Sequence, residues 1–76
     1  MSDNPTLVIR VNGEPRQVSG GISVAAMLEE LGLDRRKVAV ERNLEIVPRA
    51  TLGEVAVADG DAYEIVRFVE IGRAHV

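Results

Sequence analysis

The chain has 76 residues, of which 46% are hydrophobic and 28% charged, and its formal net charge is −3. This length is enough for one small domain, which buries only about 60% of the surface of its unfolded chain. Because such a core leaves little room for a deep catalytic cleft, we expect a protein that is not an enzyme. The sequence has no cysteine, which excludes disulfides, a thiolate nucleophile and cysteine-based zinc sites.

The charge balance and the first residues give expectations about partners and location. A nucleic-acid-binding surface usually has a basic patch, often with several aromatic side chains, whereas this chain is acidic and has one tyrosine and one phenylalanine. Met1 to Pro5 contain no basic segment followed by an apolar run, and no stretch approaches the roughly 18 apolar residues of a membrane span. We therefore expect no nucleic-acid partner, no membrane association and a cytoplasmic location.

The amino-terminal residues predict a β-hairpin. Thr6 to Val11 are rich in residues that favour strands, and Asn12-Gly13 favours the type I′ turn that would lead into a second strand over about Glu14 to Val18. Pro15 cannot donate a ladder hydrogen bond, so the second strand should lie at a sheet edge or begin irregularly.

One amphipathic helix should follow the hairpin. Ser23 is a candidate N-cap, and apolar residues at positions i, i+3, i+4 and i+7 predict a helix that runs to about Leu31: Val24, Met27, Leu28 and Leu31. Gly32 can adopt the left-handed conformation that ends a helix, and Leu33 can supply the hydrophobic contact after it.

The second half of the chain predicts three further strands. They are Val38 to Arg42, the short segment Ile46-Val47 that Pro48 ends, and a last and longest strand from Ala62 to Val69 after the turn at residues 59–61; a short helical turn is expected between Arg49 and Gly53. The order β-β-α-β-β-β is that of an α+β, single-domain β-grasp (ubiquitin-like) fold, with a mixed sheet packed on one amphipathic helix.

Residue types that could support catalysis are scarce. His75 is the only histidine, so a histidine pair or a Ser-His-Asp triad is not supported. Neighbouring carboxylates such as Glu29 and Glu30, Glu41 and Glu45, or Asp59 and Asp61 are interpreted as helix-surface, strand and turn residues. We therefore predict no catalytic, cofactor-binding or metal-binding residues.

The last predicted strand has apolar residues of both parities. Tyr63, Ile65 and Val69 would face one side, and Val66 and Phe68 the other. Two explanations remain open: a bulge or packing at the strand end accommodates them, or they form a surface that binds a partner. On the second interpretation, the docking residues are Val66, Arg67, Phe68 and Val69.

Several sequence elements together resemble the ThiS family of bacterial sulfur carrier proteins. They are residues 38–49 (VAVERNLEIVPR), 58–61 (ADGD) and 64–69 (EIVRFV), supported by 11–16 (VNGEPR) and 28–32 (LEELG). The resemblance covers roughly Thr6 to Val69, so we treat residues 6–69 as a ThiS-like β-grasp domain.

The resemblance implies a function in the thiazole formation of thiamine biosynthesis. A ThiS-like carrier has a C-terminal Gly-Gly that the E1-like adenylyltransferase ThiF activates with ATP, and the resulting thiocarboxylate supplies sulfur to the thiazole synthase ThiG. No cofactor would be bound by the carrier itself. This logic suits a chain without cysteine, because the terminal carboxylate must then hold the sulfur.

The last seven residues depart from that pattern. The family would place two or three glycines from the position of Glu70 onward, but the chain continues with an atypical tail, residues 70–76 (EIGRAHV). No thiocarboxylate-bearing glycine can therefore be assigned in this chain. One hypothesis is that the tail is sequencing-adaptor read-through, because the codons ATC GGA AGA GCA CAC GTC would encode its last six residues and that string matches a common adaptor.

Two alternatives to a ThiS-type carrier are carried forward. The small subunit of molybdopterin synthase, MoaD, shares the fold and the diglycine chemistry, and the closer match of the central elements favours ThiS. The other alternative is a ubiquitin-like interaction module whose sheet binds a partner without carrying sulfur.

Overall fold

The computed structural model describes residues 5–68, which form a five-stranded sheet with one α-helix across one face. The elements are β1 (Thr6–Val11), β2 (Glu14–Ser19), α1 (Val24–Glu30), β3 (Val38–Arg42), β4 (Glu45–Val47) and β5 (Ala62–Arg67), with short 3-10 turns at Arg35–Lys37 and Arg49–Thr51. This confirms the predicted element order and the β-grasp fold. Val69 and the predicted tail, residues 70–76, lie outside the described residues, as does His75.

The sheet is mixed, with the strand order β2-β1-β5-β3-β4. β1 and β5 run parallel at its centre, and the other neighbouring strands are antiparallel. β2 forms one edge of the sheet, which confirms the prediction from Pro15. Proline has no backbone N–H to donate, and an edge strand has a neighbouring strand on one side only. In the turn before it, Asn12 and Gly13 have φ angles of 52° and 87°, as a type I′ turn requires.

Both predicted ends of α1 are present. The Ser23 hydroxyl accepts a hydrogen bond from the Ala26 backbone N–H at 3.1 Å. At the other end, Gly32 has a φ of 79°, and the N–H groups of Gly32 and Leu33 donate to the carbonyls of Glu29 and Leu28, respectively. This pair of bonds satisfies carbonyls that the end of the helix would otherwise leave unpaired.

The core lies between α1 and the helix-facing side of the sheet. It consists of side chains from the helix, the four strands β1, β2, β3 and β5, and the segment that leads into β5: Ile9, Val11, Val18, Val24, Ala25, Met27, Leu28, Val38, Val40, Leu52, Val57, Tyr63 and Ile65. Their alternation along the strands fixes which side of each strand faces the helix. Within residues 5–68, no helix has the length and apolar character needed to cross a membrane.

The predicted extent of the last strand was wrong. β5 ends at Arg67, so its six residues equal rather than exceed those of β1 and β2. The basic run Arg35–Lys37 after the helix is exposed and forms a 3-10 turn of its own. Asp34 accounts for this turn, because its carboxylate accepts the Arg36 backbone N–H at 2.9 Å and so caps the turn.

Candidate functional site

The carboxyl-terminal end of β5 exposes apolar side chains on the sheet face that lies away from α1. Val66 is 60% exposed and Phe68 is 48% exposed, whereas Tyr63 and Ile65 on the opposite face are buried. The pairing of β5 with β3 proceeds without a shift from Tyr63 to Arg67, so the strand has no bulge there. The bulge explanation of the apolar parity is therefore wrong, and the apolar side chains face outward.

Neighbouring strands extend this exposed surface. Ala39 on β3 is the direct partner of Val66, and Ile46 on β4 is 75% exposed and pairs with Glu41 on the same outer face. Directly opposed side chains in a sheet lie close together, with Cβ atoms about 5 Å apart. We call the set Ala39, Ile46, Val66 and Phe68 the β5 patch.

Phe68 is held at the end of the strand ladder although it is not part of β5. Its backbone N–H donates to the Lys37 carbonyl at 2.8 Å, which continues the pairing with β3. The Arg49 guanidinium lies 5.8 Å from the centre of the Phe68 ring, a cation–π geometry, and Nη2 of the same arginine donates to the Val38 carbonyl at 3.4 Å. The ring is thus anchored beside a positive charge while half of its surface stays exposed.

The structure separates the four residues that the sequence grouped as a docking surface. Val66 and Phe68 lie together on the outer face, but Arg67 is paired with the buried Val38 and lines a cavity on the helix side of the sheet. Val69 lies outside the described residues. The role of these residues in docking stays a prediction.

Sequence reasoning missed the contribution of the β3–β4 turn and of β4. Leu44 is 88% exposed and has a φ of 73°, next to Asn43 with a φ of 51°. A leucine in the left-handed region is uncommon, whereas asparagine tolerates it well. Ile46 lies in a three-residue strand, which is too short for its alternation to show which side is buried.

The other end of β5 begins with a buried polar cluster around Asp61, which is 5% exposed. The Asp61 carboxylate accepts hydrogen bonds from the Ala58 N–H (2.9 Å), Arg42 Nε (2.9 Å), Asn43 Nδ2 (3.1 Å) and the Tyr63 hydroxyl (2.9 Å). Four donors satisfy both carboxylate oxygens, as burial of a charge requires. Asp61 had been interpreted as a simple turn residue, and the cluster was not foreseen.

The cluster shifts the titration of its members. Burial acts to raise the pKa of Asp61, but the hydrogen bonds from Ala58, Arg42, Asn43 and Tyr63 together outweigh it and hold this pKa below its usual value. Burial, together with the hydrogen bond to the Asp61 carboxylate, raises the pKa of Tyr63. The hydrogen bond to Asp61 also raises the pKa of Arg42. At neutral pH the cluster therefore holds a carboxylate, a guanidinium and a neutral phenol, which is a structural arrangement and not a proton-transfer site.

The other predicted surface carboxylates lie on the surface or at its margin. Glu29 and Glu30 are exposed on the helix, and Glu41 and Glu64 are direct partners across β3 and β5. Within residues 5–68, no three histidine, cysteine, aspartate or glutamate side chains come together as metal ligands would. The β5 patch, by contrast, is an exposed apolar surface.

Comparison with known proteins agrees with this architecture. The model of the ThiS family matches residues 9–70. A crystal structure of the thiamine biosynthesis protein ThiS from Geobacter metallireducens superposes with a TM-score of 0.72 and 33% sequence identity, covering 83% of this chain and 96% of that one.

Two curated relatives are named thiazole synthase. The one from Paramagnetospirillum magneticum is 59% identical over 59 residues, which are 78% of this chain and 18% of that protein. The one from Magnetococcus marinus is 40% identical over 65 residues, which are 86% of this chain and 20% of that protein. The chain thus spans about a fifth of the length of these relatives. The family match covers most of the chain and coincides with the β-grasp body described above, so this chain belongs to the ThiS family.

Proposed function

We propose that this chain is the sulfur carrier of thiazole formation in thiamine biosynthesis, and that it works as a carrier and not as a catalyst. The observation that carries the proposal is the match of the ThiS family model to residues 9–70, on a body whose last described strand ends in an exposed apolar surface. Sequences like this chain also occur within proteins named thiazole synthase. This supports a carrier that acts beside a thiazole synthase and gives no support to the molybdopterin alternative.

The chemistry would take place at the terminal carboxylate of a Gly-Gly end. An E1-like adenylyltransferase, ThiF, would join this carboxylate to the AMP moiety of ATP and release pyrophosphate. A hydrosulfide nucleophile would then attack the acyl carbon and displace AMP, leaving a thiocarboxylate. Glycines suit such an end because they lack a Cβ atom and can pass through a narrow enzyme channel.

The β5 patch would hold the carrier on its partners. A surface of this kind, with an aromatic side chain and neighbouring aliphatic ones, is typical of interaction sites. Phe68 is the best anchor because Arg49 and the Lys37 carbonyl fix its position before a partner arrives. In this proposal Val66 and Phe68 contact ThiF or ThiG directly.

The tail of residues 70–76 allows docking and sulfur transfer to be tested separately. Residues 70–76 offer one glycine, Gly72, and no Gly-Gly pair. A polypeptide that ends in these residues should dock through its body yet accept no sulfur. Replacing the tail by Gly-Gly directly after Val69 should restore the chemistry without changing any described residue.

Intact mass tests the proposal. The printed chain and a variant with Gly-Gly in place of residues 70–76 are each incubated with ThiF, ATP and sulfide. The Gly-Gly variant should gain about 16 Da, the mass of an oxygen-to-sulfur exchange, and the printed chain should gain nothing. A Gly-Gly variant that binds ThiF but never forms an adenylate or gains this mass would contradict the carrier proposal and favour an interaction module.

A further inference from the structure

A second surface feature lies on the opposite side of β5 from the β5 patch. It is an open cavity of about 360 Å³ at the end of the sheet, walled by apolar side chains that include Leu31, Leu33 and Ile65. Two arginines, Arg16 and Arg67, also line it. An apolar cavity with two cationic groups suits a ligand that is partly apolar and negatively charged.

The strand register explains why both arginines meet there. Arg16 on β2 is the partner of the core residue Ile9, and Arg67 on β5 is the partner of the core residue Val38. Both side chains therefore project from the helix-facing side of the sheet. Since α1 ends at Glu30, it leaves this end of the sheet uncovered. The two arginines lie here on the same face of the sheet that, beneath the helix, carries the core residues.

Neither arginine has a carboxylate partner within the described chain. The ion pairs among residues 5–68 join Arg36 to Asp34 and Arg42 to Asp61, and within these residues the guanidinium groups of Arg16 and Arg67 donate no side-chain hydrogen bond. Asn12, which also lines the cavity, has each polar atom of its amide in one hydrogen bond to β5. Its Nδ2 donates to the Ile65 carbonyl at 3.1 Å, and its Oδ1 accepts the Ile65 N–H at 2.8 Å.

We propose that this cavity binds a glutamate or aspartate side chain, with the apolar residue beside it, from a protein partner docked at the end of β5. The inference rests on the proposed function, which places a partner on Phe68. Arg67 directly precedes Phe68, so a partner that covers the aromatic ring on one face can reach the guanidinium on the other. The carboxylate would lie between Arg16 and Arg67, which can each form charge-assisted hydrogen bonds to it, and the apolar residue would contact Leu31 and Leu33.

The cavity favours a protein segment over a free metabolite for two reasons. Its volume is near the lower end of the roughly 300 to 1,000 Å³ typical of small-molecule pockets, and it is open to solvent. Arg67, which lines the cavity, is also one of the predicted docking residues, and it lies in the chain between Val66 and Phe68, whose side chains are on the other face of the sheet. A partner could therefore fill it as one part of a larger interface, since buried charge pairs and apolar anchors commonly occur together there.

Peptide titration of the isolated chain, followed by amide chemical shifts, tests the site. The probes are the blocked peptides acetyl-Leu-Glu-Leu-amide and acetyl-Leu-Gln-Leu-amide, together with inorganic phosphate. The glutamate peptide should cause saturable shifts at the amides of Val11, Leu33 and Arg67, and the glutamine peptide should bind at least tenfold more weakly. The double variant Arg16→Gln/Arg67→Gln should lose at least tenfold in affinity for the glutamate peptide.

A matched control removes the same number of charges elsewhere. The variant Arg10→Gln/Arg35→Gln changes exposed arginines that do not line this cavity, and its affinity should stay within twofold of the unchanged chain. Equal binding of both peptides, or equal losses in both double variants, would overturn the proposal. So would phosphate that matches the glutamate peptide in affinity and in shifted residues, because that result indicates a site for free anions.

The outcomes stay separate from those of the sulfur-transfer assay. If the Gly-Gly variant gains sulfur but the cavity binds no acidic peptide, the carrier function stands and this inference fails. If the cavity selects the glutamate peptide but no sulfur is gained, the site is real and the proposed function is wrong.

Discussion

The two ends of β5 differ in how their side chains are satisfied. At its start, the buried Asp61 is surrounded by four hydrogen-bond donors, among them Arg42 and Tyr63. At its end, Val66 is 60% exposed to solvent and Phe68 is 48% exposed. The polar cluster at the start of β5 thus has its hydrogen bonds satisfied within the chain, whereas the apolar side chains at its end are exposed to solvent.

This difference suggests that the start of β5 stabilises the fold and that its end is available for a partner. The hydrogen bond from Asn43 to Asp61 connects the start of β5 to the β3–β4 turn. The side-chain amide of Asn12 bonds to both the N–H and the carbonyl of Ile65, which connects the middle of β5 to the β1–β2 turn. These bonds fix the strand from its start to its middle. The last residues can then remain exposed without loosening the sheet, and the end of the strand stays ready for a partner.

Replacing Asp61 with alanine should produce the largest loss of stability. It would leave buried donors of Arg42, Asn43 and Tyr63 without their acceptor, and breaking a buried ion pair on one side typically costs about 3 to 5 kcal/mol. Because Arg42 is partly solvated, we expect about 3 kcal/mol, measured as the change in the free energy of unfolding in urea.

Asp34→Ala provides the control for that measurement. Asp34 also pairs with an arginine, Arg36, but this pair is exposed at the surface. Its loss should change the stability far less than the loss of Asp61. Similar losses for the two variants would show that the Asp61 cluster does not have the structural role assigned to it.

Truncating Phe68 to alanine should weaken partner binding and change the stability of the fold little. Removal of an aromatic anchor at an interface commonly weakens binding by about 2 kcal/mol, or roughly thirtyfold in the dissociation constant, whereas a half-exposed side chain contributes little to the core. The affinity for ThiF is measured by calorimetry and the stability by urea unfolding. Val8→Ala is the matched control, since Val8 is 47% exposed on the outer face of β1, away from the β5 patch.

A global loss of stability in Phe68→Ala, with binding reduced only in proportion, would assign Phe68 to the core and contradict the contrast between the two ends. Equal loss of affinity in Phe68→Ala and Val8→Ala would instead spread the interface across the whole outer face.

The sequence predicted the start and middle of the fold better than the site. Asn12-Gly13, Ser23 and Gly32 carry local signals that act within a few residues, and the structure confirms each of them. The Asp61 cluster depends on Arg42 and Asn43, which are distant in the sequence, so no local pattern could reveal it. The separation of Arg67 from Val66 and Phe68 follows from strand alternation, but the buried side of β5 became certain only with its pairing to β3.

Acid should weaken the start of β5 selectively. Asp61 has a lowered pKa in the folded chain, so it contributes stability that is fully present above its unfolded pKa of about 3.9 and is lost as the pH falls through the folded pKa. Unfolding free energies from pH 7 down to pH 2 should fall more steeply for the unchanged chain than for Asp61→Asn. Parallel curves would show that another group controls the acid transition.

The smallest expected effect is a gain of stability from the middle of β5. Glu64 and Glu41 are direct partners on the outer face, and like charges opposed across two strands are unfavourable, by up to about 1 kcal/mol. Glu64→Gln should therefore raise the free energy of unfolding by about 0.5 kcal/mol at low salt and by less at high salt, where the repulsion is screened. Glu29→Gln, on the exposed surface of α1, removes the same charge without relieving this contact and should leave stability nearly unchanged. If Glu64→Gln gave no gain at low salt, the two carboxylates would be separated in solution. The middle of β5 would then be held less firmly against β3 than their pairing indicates.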